Sequence, residues 1–194
     1  VAQGAVPYLF GVPFFYWPYY WKDLKRHYGF RFEPGYGSDW GAFLLSSYKM
    51  VIYRNKESNT YVDSKTSIDF RSKRGFAFGE KILWNSNDKL TGWISAYYLD
   101  DKDLPYNVED PERYRIRLNN EWEIAPRDRI LAQAIYVSDD RFMEDFFEEE
   151  YDEMNQPDNF LSWTHIGDTY SGGVLARMRL NDFYTQVERL PEAW

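Results

Sequence analysis

The chain has 194 residues, a formal net charge of −8 and no cysteine, and 20% of its residues are aromatic. That length suits one domain or part of a larger one. The aromatic density excludes a disordered chain, the charge disfavours a reader of nucleic-acid phosphates, and the lack of thiols removes disulfides, thiol nucleophiles and zinc–thiolate centres.

The first residues, Val1-Ala2-Gln3-Gly4, offer no initiator methionine, basic leader or apolar leader core, so a processed or excised segment is expected. The longest uncharged stretch, Val1–Trp21, carries Pro7, Pro13 and Pro18 among large aromatics. Prolines at that spacing forbid a helix or a central strand and predict extended, edge-like segments. No apolar run of about 20 residues predicts a membrane helix, a test that says nothing of barrel strands, which are only half apolar. A basic connector, Lys22–His27, follows.

From Phe30 onward, alternation with period two dominates, the signature of strands with two unlike faces. Phe30, Phe32, Pro34 and Tyr36 oppose Arg31, Glu33, Gly35 and Gly37. Residues 40–52 alternate more weakly. In Tyr61–Arg71, Val62, Ile68 and Phe70 share a face with Ser64 and Thr66, against Asp63, Lys65, Asp69 and Arg71. Gly75–Trp84 places Phe76, Phe78, Ile82 and Trp84 together, interrupted by Glu80. After a weaker candidate at 90–99 comes the clearest pattern, Arg113–Ile124. Tyr114, Ile116, Leu118, Asn120, Trp122 and Ile124 there oppose Arg113, Arg115, Arg117, Asn119, Glu121 and Glu123. Segments 128–137 and 158–168 follow, and then Gly172–Asn181, where Val174, Ala176, Met178 and Leu180 oppose Arg177, Arg179 and Asn181. About nine strands are predicted.

Most links are short, but Asp100–Glu112 and Ser138–Asp158 are long, with two strands between them. Two strands of a meander return the chain to the same side, so both long loops are expected on one rim, as in outer-membrane barrels. The second long link predicts a helix over Arg141–Met154 with Glu144, Asp145, Glu148, Glu149, Glu150, Asp152 and Glu153. A solvated surface loop is the expectation. A divalent-cation site is the sharper alternative, without an EF-hand pattern to support it.

Catalytic chemistry is thinly represented. His27 and His165 are the only histidines, and no nucleophile elbow, Walker loop or dinucleotide fingerprint occurs. Gly35, Gly37 and Gly41 read as a flexible strand and turn. No catalytic residue, metal ligand set or cofactor is assigned. Paired carboxylates could hydrolyse glycosides, and the tryptophans and tyrosines suit sugar stacking and membrane girdles equally. Two readings follow: an all-β, antiparallel transmembrane barrel segment, or a secreted soluble β-sandwich that binds or hydrolyses carbohydrate.

The stretch Gly11-Val12-Pro13-Phe14-Phe15-Tyr16-Trp17-Pro18-Tyr19-Tyr20, the basic link and Gly29-Phe30-Arg31-Phe32-Glu33-Pro34 resemble the junction of the LptD family. These are the lipopolysaccharide-assembly outer-membrane proteins, also called organic solvent tolerance proteins. Arg74-Gly75, Tyr136-Val137-Ser138-Asp139 with Phe142–Phe147, and Val187-Glu188-Arg189-Leu190-Pro191-Glu192 match further motifs in the family's order. The resemblance implies that residues 1–27 end a periplasmic β-jellyroll and that 28–194 open an outer-membrane β-barrel, the whole being a fragment. It implies lipopolysaccharide transport to the outer leaflet, without enzymatic activity. Expected partners are lipopolysaccharide, a plug lipoprotein, periplasmic lipopolysaccharide-bridge proteins and outer-membrane lipids. Gly29, Pro34, Gly35 and Gly37 would form the first strand of a lateral gate. Arg31, Glu33, Asp63, Lys65, Asp69, Arg113, Arg115, Arg117, Arg177 and Arg179 would face a hydrated lumen. The chain departs from the family in its missing cysteines, in Ser46 and Ser47 where a second-strand proline is expected, and in its heavier acidic loop.

Overall fold

A computed structural model describes residues 29–153 and 159–181 throughout, and outside them only short strands. Strands β1 (Ala2–Ala5), β2 (Tyr8–Leu9), β3 (Val12–Pro13) and β4 (Trp17–Tyr20) form two small antiparallel pairs, β1 with β4 and β2 with β3. The stretches 21–28, 154–158 and 182–191 lie outside the described residues, and with them the basic connector, the Met154 end of the expected helix and the Val187–Pro191 motif.

The body is one sheet in sequence order. It runs through β5 (Gly29–Gly37), β6 (Gly41–Asn55), β7 (Thr60–Arg71), β8 (Gly75–Ser86), β9 (Leu90–Asp100), β10 (Glu112–Ala125), β11 (Asp128–Val137), β12 (Phe160–Ile166) and β13 (Ser171–Arg177). These are the nine strands the alternation predicts, all antiparallel to their neighbours. A two-residue β14 (Glu192–Ala193) adds to β13. The sheet is open, with β5 at one end of the order and β14 at the other.

Register carries the alternation across the strands. Ile116 faces Ala96 and Tyr136, Tyr98 faces Phe78 and Tyr114, and Trp122 and Trp163 both face Ile130. These side chains form one apolar face, and it is exposed: Phe30 by 72%, Phe76 by 55%, Ile116 by 43%. Among the described residues no second sheet covers it.

One β-bulge matters. An extra residue, Ile52, falls between the pairs Val51–Asp63 and Tyr53–Val62. A bulge re-aims the residues after it, and Arg54, even-numbered, thereby joins the polar face and reaches Asp63 at 3.1 Å.

The opposite face holds the core. Ala77, Tyr97, Leu99, Ile135 and Val137 are buried there beneath Phe142, Met143 and Phe146 of helix α1 (Phe142–Phe146). A second short helix, α2 (Glu148–Glu153), follows a break at Phe147. This corrects the expectation of a solvated loop with one helix over 141–154. The acidic side chains point away from the sheet or onto arginines, while three apolar ones of the same segment seat on it. Phe142 is fully buried. Burying a large aromatic ring stabilises by about 2–3 kcal/mol, which helps offset the ordering of the link.

The last predicted strand is also shorter than expected: β13 stops at Arg177 rather than at 181. Pairing of β11 with β12 begins only at Gln133–Phe160, leaving Ala134–Val137 without a strand on that side. Two buried amides take its place. Asn159 accepts from the Ile135 N–H at 2.6 Å, and Asn181 accepts from the Val137 N–H at 3.0 Å and donates to the Ile135 carbonyl at 2.8 Å. Residues 178–181 leave the ladder to deliver Asn181, so Arg179 lies beyond the strand that was to carry it.

Candidate functional site

The polar face arranges its charges in cross-strand rows. Arg31, Ser47, Ser67, Gly79, Tyr97 and Arg115 form one row, and Lys49, Lys65, Lys81, Ser95 and Arg117 form the next. They border a cavity of about 660 Å³, lined in part by Trp93, Tyr97 and Phe147. Gly79 makes room for it: a Cβ there would stand 2.7 Å from the Tyr97 ring.

All the expected lumen-facing residues but Arg179 share this face in register, and their surroundings differ. Arg31 and Glu33 pair with each other at 3.1 Å and are exposed. Asp63 is buried between Arg54 and Lys49, at 3.1 and 3.5 Å. Asp69 accepts from the Tyr97 hydroxyl at 2.6 Å and from the Ser46 N–H at 3.0 Å. Arg177 closes the row at Phe160.

Arg113 is not a hydrating side chain but the hub of the long-loop rim. It is fully buried. Its guanidinium grips Asp139 with two bonds of 2.7 and 2.9 Å and gives 2.8 Å bonds to Asp101 and Asp145. Arg74 adds a 3.0 Å bond to Asp101, and Trp40 donates to the Asp145 carbonyl at 2.8 Å. Arg71 lies flat between the Trp40 and Phe146 rings. Both long loops therefore meet on one rim, as their spacing predicts, and Asn107 bonds Asp140 between them at 3.2 Å. Where a divalent cation would need converging carboxylates, the Arg113 guanidinium stands instead. Among the described residues no group of three or more acids or histidines is placed to hold a metal.

Further in, Glu150 of α2 reaches back to Arg115 at 2.8 Å and to Arg117 with the same oxygen. The Arg115 guanidinium also covers the Phe147 ring at 3.4 Å.

Asp139 makes the rim sensitive to acid. Burial works against its charge, but bonds from Arg113, Ser138 and the Arg141 N–H outweigh it and hold Asp139 below its ordinary 3.8. A carboxylate lowered on folding stabilises the fold above its unfolded pKa, and that contribution is lost as pH falls through the folded value. Protection factors for the amides of residues 139–147, taken relative to intrinsic exchange at each pH, should be high at about pH 6 and lower by about pH 2, ahead of global unfolding. Unchanged protection across that interval would detach the loop from the Asp139 pair.

The residues expected in a gate all fall on β5. Gly29 has φ +135°, Pro34 faces Leu44, Gly37 faces Gly41, and Gly35 lies beneath the Phe43 ring, 2.2 Å from where its Cβ would be. Glu80, which breaks the apolar pattern, is satisfied on that face by the Ser64 and Thr66 hydroxyls at 2.5 and 2.6 Å.

Sequence reasoning missed the hub, Arg74, Trp40, Asn159 and Asn181. A partial signal was available, since Phe142 and Phe146 stand one helical turn apart beside Asp145. Compared with known protein families and with curated proteins, the chain matches none.

Proposed function

We propose that this chain is part of an outer-membrane β-barrel that carries lipopolysaccharide to the outer leaflet, with its polar face toward a wet lumen. The observation that carries the reading is the inversion of the sheet. A soluble sheet buries its apolar face, whereas here that face is exposed across nine strands and the buried groups lie on the charged side. Lipid is the solvent such a face fits.

Belts of amphipathic rings support it. Tyr98, Tyr114 and Tyr136 gather toward the long-loop rim, with 5.9 Å between the last two rings, and Trp122 and Trp163 flank Ile130 toward the other. Tyr114 to Trp122 is roughly 27 Å of strand at about 3.4 Å per residue. A strand tilt of about 35–45° reduces that to roughly 19–22 Å along the membrane normal, which fits inside the ~25 Å apolar band of such barrels. An open edge does not persist in lipid, so β5 and the far edge would meet further strands. Lipopolysaccharide as cargo rests on the motif resemblance and on a hydrated face beside a lipid-facing one, suited to a molecule with a glycan and acyl chains. The plug lipoprotein and bridge proteins follow from that resemblance alone.

A photoreactive residue at Ser67 or Ser95, in the full-length protein in cells, should crosslink to lipopolysaccharide in transit, and the adducts should vanish when lipopolysaccharide supply from the periplasm is blocked. Absence of adducts at both positions would remove the cargo. In the same cells Pro34→Ala restores an N–H to β5. It should tighten the seam with the last strand and slow export if that seam is a gate; export at the parent rate would remove the gate.

A further inference from the structure

The row Lys49, Lys65, Lys81, Ser95, Arg117 holds more positive charge than its neighbours neutralise. Lysine stands directly opposite lysine twice in succession, and like charges in that position destabilise a sheet. Lys49 has Asp63 at 3.5 Å. Arg115 and Arg117 share one Glu150 oxygen. Among the described residues neither Lys65 nor Lys81 has a hydrogen bond or ion pair, and Lys81 stands 4.2 Å from the Trp93 ring. From Lys65 to Arg117 the row crosses three strand intervals, roughly 14 Å at about 4.8 Å each. That is too long for one phosphate and suits several.

Glu150 already sits where such an anion would bind. Its helix is held differently from α1, whose Phe142, Met143 and Phe146 are buried. Glu150 is 42% exposed at the side chain, and α2 is set off from α1 by the non-helical Phe147, at φ −141° and ψ 46°.

We propose that this row binds a ligand carrying two or more phosphate groups, and that Glu150 is a built-in competitor which the ligand displaces as α2 swings about Phe147. Arg115 and Arg117 give phosphate paired N–H donors, and Lys65 and Lys81 serve the next phosphate as point charges. The site stands on the charge row. Its occupation by a glycolipid headgroup, rather than a soluble phosphorylated compound, rests on the transport reading.

Titration calorimetry on the whole protein in detergent, with inorganic tripolyphosphate and monophosphate as probes, tests it. Tripolyphosphate should bind about tenfold tighter than monophosphate, and Lys65→Gln with Lys81→Gln should cost about tenfold in its affinity. The same charge change at Lys89 and Lys102, on the rims, should cost little, and Lys65→Arg with Lys81→Arg should retain binding. Glu150→Gln should raise affinity several-fold, where a purely structural Glu150 would leave it unchanged or lower. Equal loss in the row and rim variants would overturn the site, and an unimproved Glu150→Gln would overturn the competitor. Lipopolysaccharide that competes only when phosphorylated identifies a glycolipid headgroup. Should it fail to compete while tripolyphosphate follows the variants as described, the site stands with a soluble ligand and the cargo reading fails.

Discussion

Arg113→Ala should destabilise the protein by about 3–5 kcal/mol and free the loop 138–153 from the sheet. The magnitude follows from what remains. Arg113 and Asp101 are fully buried, and the Asp139 and Asp145 side chains are 14% and 8% exposed. Removing the guanidinium strands carboxylates that little water reaches. Arg74 can still serve Asp101 and Asp145, but Asp139 loses both its arginine bonds and keeps only those from the Ser138 hydroxyl and the Arg141 N–H. Arg113→Lys should recover only part of the loss, because one ammonium cannot match the planar fork that meets three acids. Denaturation in detergent and protease cleavage within the loop read both effects. Parent-like stability with a protected loop would mean that α1 is held by its apolar side chains alone.

Leu118→Arg should cost about 2–4 kcal/mol in a lipid bilayer, the cost of a cation midway between the tyrosine and tryptophan belts of a barrel's outer face. Asn119→Arg, exposed on the opposite face of the same strand, should stay within about 1 kcal/mol of the parent. The pair separates lipid from water as the solvent of each face, because the same side chain is added to the same strand in both. Similar losses at both positions would place both faces in the same solvent.

Side-chain alternation made the sheet legible. Five strands, 30–37, 61–71, 75–84, 113–124 and 172–181, announce two faces within their own residues, the other four do so more weakly, and short links leave little choice of neighbour. The equal parity of two intervening strands put the long loops on one rim for the same local reason. What escaped depends on partners far apart in the chain. Nothing near Arg113 in sequence shows that it meets Asp139 and Asp145, and the acid-rich run beyond Arg141 hides the three apolar residues that anchor it. Ile52 shifts the parity of β6, so that Arg54 turns to Asp63 against the local pattern. On β12 the parity also inverts, Phe160 and Ser162 joining the polar face, because the link before it sets the register. Asn181 looks like the polar side of a strand, yet its amide completes the edge of β11 instead. The polar candidates from Arg31 to Arg177 share one face of the sheet, and Arg113 and Arg115 are buried in ion pairs there, since ion pairing and burial lie outside what alternation encodes.

The central claim is that one face of this sheet meets lipid and the other meets water. The chain has no cysteine, so single cysteines at Ser67, Ile68, Ile94 and Ser95 can carry spin labels without background. In the full-length protein reconstituted in vesicles, labels at 68 and 94 should collide with oxygen and be shielded from a water-soluble nickel complex, and labels at 67 and 95 should show the reverse. Equal access of the nickel complex to all four positions would contradict the account.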